Sequence, residues 1–417
     1  MPFQYDFEGF FQKFTAVAAD GKKRGNMKHV GIICEYNPFH AGHKYLLDCV
    51  RGAETVICLM SGHFTQRGEA AILPPVSRAA MALAAGADLV LELPFPYAAG
   101  SARYFATAGV RALEGLGVDT LAFGSESANA PALIAAAEQT MKRDFIEKVA
   151  NGAKNKGDAA IYFDALGDVR IPPNDILALE YARAVHGRGD KMTLYPVLRV
   201  GAGYHDTDPE KEYPSATALR EKLHTGAEIC DGLPVEVREI FQKAVARWGI
   251  ADTARLGAPM LACLRTCNGK SAGTGGKTAD FDIADCGGGL LERLCRAAEE
   301  ATDYQSLCRA AATKKYTDGR IRRGLLYLLA GVTREDLLAA PAYLRLLGAN
   351  ERGRAFLAET RKTRTVPVVT KPADAVSLGA HAARARRLSA IAHGLYALCL
   401  PGSVTPAELA TVPPLML

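Results

Sequence analysis

Apolar residues in the first half of the chain gather into short runs with few polar interruptions, at 30–34, 55–60, 88–93, 120–123 and 192–200. Runs of this length, rich in Val, Ile and Leu and lacking polar alternation, predict strands buried on both faces. Between them the apolar positions recur at helical spacing: Tyr45, Leu46, Cys49 and Val50 after Ala41, then 75–85, then 101–116, then from Pro172 to about His186. Strand, helix, strand alternation predicts a Rossmann-like α/β fold, a doubly wound parallel sheet with right-handed crossovers. Beyond Leu233 the pattern changes, because Ala, Leu and Arg dominate and strand-like runs are scarce. The expected organisation is therefore a nucleotide-binding domain over 27–225 and a mainly helical domain over 226–417. Residues 1–26 hold several aromatics followed by a polar linker, and read as an N-terminal extension arising from the choice of start site.

Polar residues close each run, and they carry the candidate chemistry. After the first strand, Glu35-Tyr36-Asn37-Pro38 forces a turn, so His40, Gly42 and His43 fall where the strand hands over to a helix. Such a junction is an anion site: backbone N–H groups and the positive end of the helix dipole point outward, glycine admits a phosphate, and two imidazoles donate to it. The bland alternative is a pair of helix-capping histidines. The second strand ends in a loop with His63, Gln66 and Arg67, which are substrate contacts on the same rim or members of an ordinary surface loop. Gly124 after the fourth strand is a close-approach or a turn glycine. Arg199 ends the fifth strand, and Asn174 or Asp175 caps the helix that precedes it. Ser215, Thr217 and Arg220 form a second candidate phosphate element at a helix start.

Composition bounds the rest. At 417 residues two domains are the default, and a net charge of +5 permits a local basic patch without requiring a polyanionic partner. Ten cysteines include no C-x-x-C pair, which points to reduced thiols in a cytoplasmic protein without structural zinc. No apolar run reaches the ~18 residues of a membrane span. The stretch 268–277 (NGKSAGTGGK) lacks the first glycine of a P-loop and reads as a flexible insertion. In the C-terminal half, Lys314, Lys315, Arg320, Arg322 and Arg323 surround Tyr316 and suit RNA phosphates and a stacked base, with further cations at 361–364 and 384–387 that also fit solvated faces.

His40-Ala41-Gly42-His43 resembles the H-x-G-H signature of the nucleotidylyltransferase superfamily. The longer string from Glu35 to His43, with Met60–Gly68, Phe123–Glu126, Pro173–Leu177 and Ser215–Thr217, resembles the bacterial tRNA(Met) cytidine acetate ligases. That resemblance implies ATP bound by Ile33, Cys34, Glu35, Tyr36, Asn37, Pro38, Phe39, His40, Ala41, Gly42, His43, Lys44, Tyr45, Leu46, Gly124, Asn174 and Arg199. It implies His40 and His43 as the catalytic pair, and Ser215, Thr217 and Arg220 on the triphosphate. It further implies activation of acetate to acetyladenylate, Mg²⁺ bridging the phosphates without a carboxylate cage of its own, and acetyl transfer to N4 of the wobble cytidine of elongator tRNA(Met). Other readings share part of these motifs: a nucleotidylyltransferase acting on a phosphorylated metabolite, a class I aminoacyl-tRNA synthetase, and a non-catalytic RNA-binding protein with a relic nucleotide site. The synthetase reading lacks its lysine-rich loop, since Lys191-Met192-Thr193 is not followed by a second lysine.

Overall fold

The computed structural model describes residues 27–151, 161, 164–166, 172, 175–199, 215–274 and 282–417. Five parallel strands form as expected: β1 (His29–Cys34), β2 (Thr55–Ser61), β3 (Leu89–Leu93), β4 (Thr120–Ser125) and β5 (Thr193–Leu198). Every residue of β1, β2 and β3 is buried, as their continuous apolar runs require once helices cover both faces. Their spatial order, β5-β4-β1-β2-β3, reverses direction between β1 and β4. Such a switch point is where open α/β sheets bind ligands. Here β1 and β4 pair only at Val30 with Thr120 and Gly31 with Leu121, then part toward their C-terminal ends. The crevice opens there.

The C-terminal half is mainly helical, yet it also supplies β6 (Leu344–Ala349), β7 (Val368–Val369) and β8 (Leu415–Met416) to the same sheet. β6 runs antiparallel to β3, so the parallel sheet gains a mixed edge. The sequence reading passed over this strand because Leu344, Leu346 and Leu347 fit a helical stripe as well as a strand. What selects the strand is the open edge of β3. Asp88, at the start of β3, fastens the join: its carboxylate accepts from Val56 N–H at 2.8 Å and from Asn350 Nδ2 at 2.8 Å. One apolar core runs from Ile32 and Met60 through Leu256, Leu294, Leu325 and Tyr396, so the two halves share it across the position near 225. The helix Gly257–Thr274 continues through most of the stretch expected to be a flexible insertion, and its remainder lies outside the described residues.

Candidate active site

A cavity of about 530 Å³ occupies the crevice at the ends of β1, β4 and β5. Its walls include Ile33, Cys34, Glu35, Tyr36, Asn37, His40, Gly42, His43, Tyr45, Leu46, Gln66, Arg67, Gly124, Arg199, Ser215, Thr217 and Arg220, all singled out from the sequence. Pro38, Phe39, Ala41, Lys44 and His63 are not among them. Phe39 is wholly buried beside the Tyr36 ring, 4.8 Å between centroids. Lys44 reaches along its own helix to Asp48 at 2.5 Å. Asn174 lies outside the described residues.

The two histidines cap the helix Ala41–Cys49 reciprocally. His40 Nδ1 accepts from Gly42 N–H at 3.0 Å, and His40 N–H donates to His43 Nδ1 at 3.3 Å. With both Nδ1 atoms acting as acceptors, each neutral ring carries its hydrogen on Nε2. The rings stack with centroids 3.8 Å apart. Burial, with Arg199 and Arg220 nearby, holds the His40 imidazole down to about 3, and burial with His40 alongside pushes His43 well below its ordinary value. Both are therefore neutral Nε2–H donors at pH 7. Capping and ligand donation are thus compatible roles of the same rings, not alternatives. Gly42 lines the cavity, and its N–H is taken by His40. A Cβ on Gly42 would sit 2.9 Å from His40 Cε1, so this glycine makes room for the imidazole.

Opposite them stands the start of the helix Ala216–His224. Ser215 Oγ caps it by accepting from Ala218 N–H at 3.1 Å. Arg220 donates to Thr217 Oγ1 at 3.1 Å and to the Asn37 carbonyl at 2.8 Å, which ties this element directly to the turn after β1. On the third side, a Cβ at Gly124 would lie 3.2 Å from Arg199 Cγ, so the glycine gives passage to the arginine stem. Asp175 does not cap its helix with its side chain. It accepts instead from Glu126 N–H at 2.7 Å, Ser125 Oγ at 3.0 Å, Ser127 N–H at 3.1 Å and Ser127 Oγ at 2.7 Å, fixing the loop after β4.

Sequence reasoning missed Arg78. Wholly buried under the site, it donates to the carbonyls of Leu73 and Ser61 at 3.0 Å each, and to those of Glu35 and Gly62. It thereby holds the turns that leave β1 and β2. Nothing in an arginine on an amphipathic helix announces that its end reaches two distant carbonyl clusters.

Three expectations change. His63 is a core histidine, 3% exposed, between the rings of His393 and Tyr396. Arg322 pairs with Glu69, and Arg323 pairs with Asp285 at 2.5 Å. Arg320 donates to the carbonyls of Asp285 and Gly287, Lys315 to that of Gly288, and Tyr316 is 7% exposed with its hydroxyl on Gly288. Most of the expected RNA cluster thus ties down the 285–288 turn, and Tyr316 presents no face to a base. Lys314 is exposed. Among the described residues, no three His, Cys, Asp or Glu side chains come together to hold a metal ion, and no helix is long and apolar enough to cross a membrane.

A family model for the HIGH Nucleotidyl Transferase matches residues 27–409. The tRNA(Met) cytidine acetate ligase of Syntrophotalea carbinolica is 38% identical over 365 residues, covering 82% of this chain and 85% of that one. The crystal structure of Thermotoga maritima TmcAL without ligand superposes with a TM-score of 0.85 at 27% identity, covering 94% of this chain and 100% of that one. The same protein bound with alpha-thio ATP gives 0.82 at 26% identity, covering 94% and 99%. With its two-histidine junction at a sheet switch point, this chain belongs to the HIGH nucleotidyl transferase family and, within it, to the tRNA(Met) cytidine acetate ligases.

Proposed function

We propose that this protein is an ATP-dependent ligase that converts acetate to acetyladenylate and passes the acetyl group to N4 of the wobble cytidine of elongator tRNA(Met) in the cytoplasm. The observation that carries this reading is one cavity in which two neutral Nε2–H imidazoles face Ser215, Thr217 and Arg220. Acetate attack on the α-phosphorus needs no protein nucleophile, because the carboxylate itself is the attacking group. It needs in-line positioning, and donors where charge grows on the phosphoryl oxygens and on departing pyrophosphate. His40 and His43 supply donors at the α-phosphate. Arg220, held by Asn37 and Thr217, supplies fixed positive charge toward the β- and γ-phosphates. Mg²⁺ ordinarily rides on substrate phosphates with only one or two protein carboxylates, and we take it to enter with the nucleotide. The relatives' names and the nucleotide bound to the Thermotoga protein support the same reading. Mass spectrometry of tRNA nucleosides after incubation with ATP, acetate and the protein tests it: N4-acetylcytidine is expected, and its absence with active protein would defeat the proposal.

For tRNA we place the polyanion surface on exposed cations that are not consumed by internal pairs. Among the described residues, Arg386 and Arg387 on the helix Ala380–Cys399, with Arg361, Lys362 and Lys314, meet that condition. Arg384 does not, since it donates to Asp336 at 2.8 Å and 3.0 Å. Replacing Arg386 and Arg387 together by alanine is expected to weaken tRNA binding and flatten its salt dependence by about 0.7 to 0.9 log units per lost phosphate contact. Affinity titrations at several salt concentrations check this, and an unchanged slope would move the surface elsewhere.

A further inference from the structure

We propose that Glu35 is the general base of acyl transfer, taking the proton that the attacking exocyclic amine releases; this rests on the acetyl-transfer reading above.

Among the described residues two carboxylates line the cavity, Glu35 and Glu69. Glu69 is spent on Arg322. Glu35 Oε1 accepts from Gln66 N–H at 2.7 Å, and among the described residues nothing donates to its other oxygen. A carboxylate beside a triphosphate and an acetate repels both substrates, so its presence on this wall calls for a chemical use. Formation of the adenylate offers none, since acetate attacks without a proton to lose. Acyl transfer does. As N4 bonds to the acyl carbon, the bond from that carbon to the phosphate oxygen breaks and AMP departs with the electron pair, and the new amide nitrogen must shed one proton.

The histidines cannot take it. Each Nδ1 is engaged by a backbone N–H, and each Nε2 already carries hydrogen. The thiol of Cys34 and the hydroxyls of Tyr36 and Tyr181 are buried and held protonated, pushed upward from their ordinary values. Glu35 remains. Burial raises its carboxyl above the usual range against the opposing pull of Gln66 N–H, Arg220, Arg67 and Arg78, which makes it a better base than an exposed carboxylate. Arg220 acts on both Glu35 and His40, so the proton acceptor and the phosphate donors flank one arginine.

The test separates the half-reactions. Wild-type protein, Glu35→Gln and Glu35→Asp are each assayed for acetate-dependent ATP–pyrophosphate exchange and, in single turnover from preformed enzyme-bound acetyladenylate, for acetyl transfer to tRNA across a pH series. Glutamine still accepts from Gln66 N–H and cannot take a proton. Glu35→Gln is expected to lose about 100-fold more in transfer than in exchange, in line with the contribution of a positioned base. Transfer by the wild type is expected to rise with pH, that rise should flatten in Glu35→Gln, and Glu35→Asp should recover part of the rate. Parallel losses in both half-reactions would show that Glu35 places ATP or its Mg²⁺ and would overturn the proposal. An undiminished transfer rate would also overturn it, assigning the proton to the departing AMP phosphate. Absence of acetate-dependent exchange in the wild type would defeat the acetate reading itself, and the role of Glu35 with it.

Discussion

Replacing His40 by alanine is expected to lower acetate-dependent ATP–pyrophosphate exchange by about two to three orders of magnitude, with His43→Ala close behind. On the proposed reading, each imidazole offers one Nε2–H to the phosphoryl charge that develops as acetate attacks. Loss of one such preorganised donor costs about 3 kcal/mol in the transition state. His40 also caps its helix through Nδ1, and loss of a cap costs about 1 kcal/mol of stability. The two effects separate with His40→Asn, which is expected to keep the cap and still lose the rate. Exchange kinetics beside a urea denaturation curve for each variant decide the matter. Near wild-type exchange in either alanine variant would remove the histidines from the chemistry.

Arg78→Met is expected to destabilise the fold by about 4 kcal/mol and to abolish activity with it. Methionine keeps the unbranched apolar stem of the buried arginine but donates nothing, so the carbonyls of Glu35, Ser61, Gly62 and Leu73 lose their shared donor inside the protein. Each orphaned buried acceptor costs about 1–3 kcal/mol, partly relieved by the desolvation penalty that the guanidinium no longer bears. Urea denaturation of the variant measures the loss. A change below about 1 kcal/mol would mean that the turns after β1 and β2 hold themselves.

Local pattern was a good guide wherever the determining interaction is itself local. The β1 to β5 runs and the helices between them follow from period and from turn residues, so the place of His40 to His43 at a strand-to-helix junction was legible, whereas the strand order that sets this junction at a switch point was not. The cap at Ser215 and the place of Arg199 at the end of β5 were legible for the same reason. Lys44, within the same motif, turns its ammonium along the helix to its i, i+4 partner Asp48, a pairing that the motif reading did not weigh.

Where a side chain's partner lies far along the chain, the one-dimensional pattern carried no signal. His63 follows a strand in the same way as His40, but His393 and Tyr396, more than three hundred residues later, enclose it in the core. Arg322 and Arg323 read as phosphate ligands until folding sets Glu69 and Asp285 beside them. Leu344–Ala349 becomes a strand because the edge of β3 is open when the C-terminal half arrives. Strand and helix period is written into neighbouring residues, whereas the pairing of a charge is a property of three-dimensional proximity. The chain alone therefore declared the frame of the fold and the strand-to-helix junction that borders its cavity, and packing alone settled which cations and histidines line that cavity.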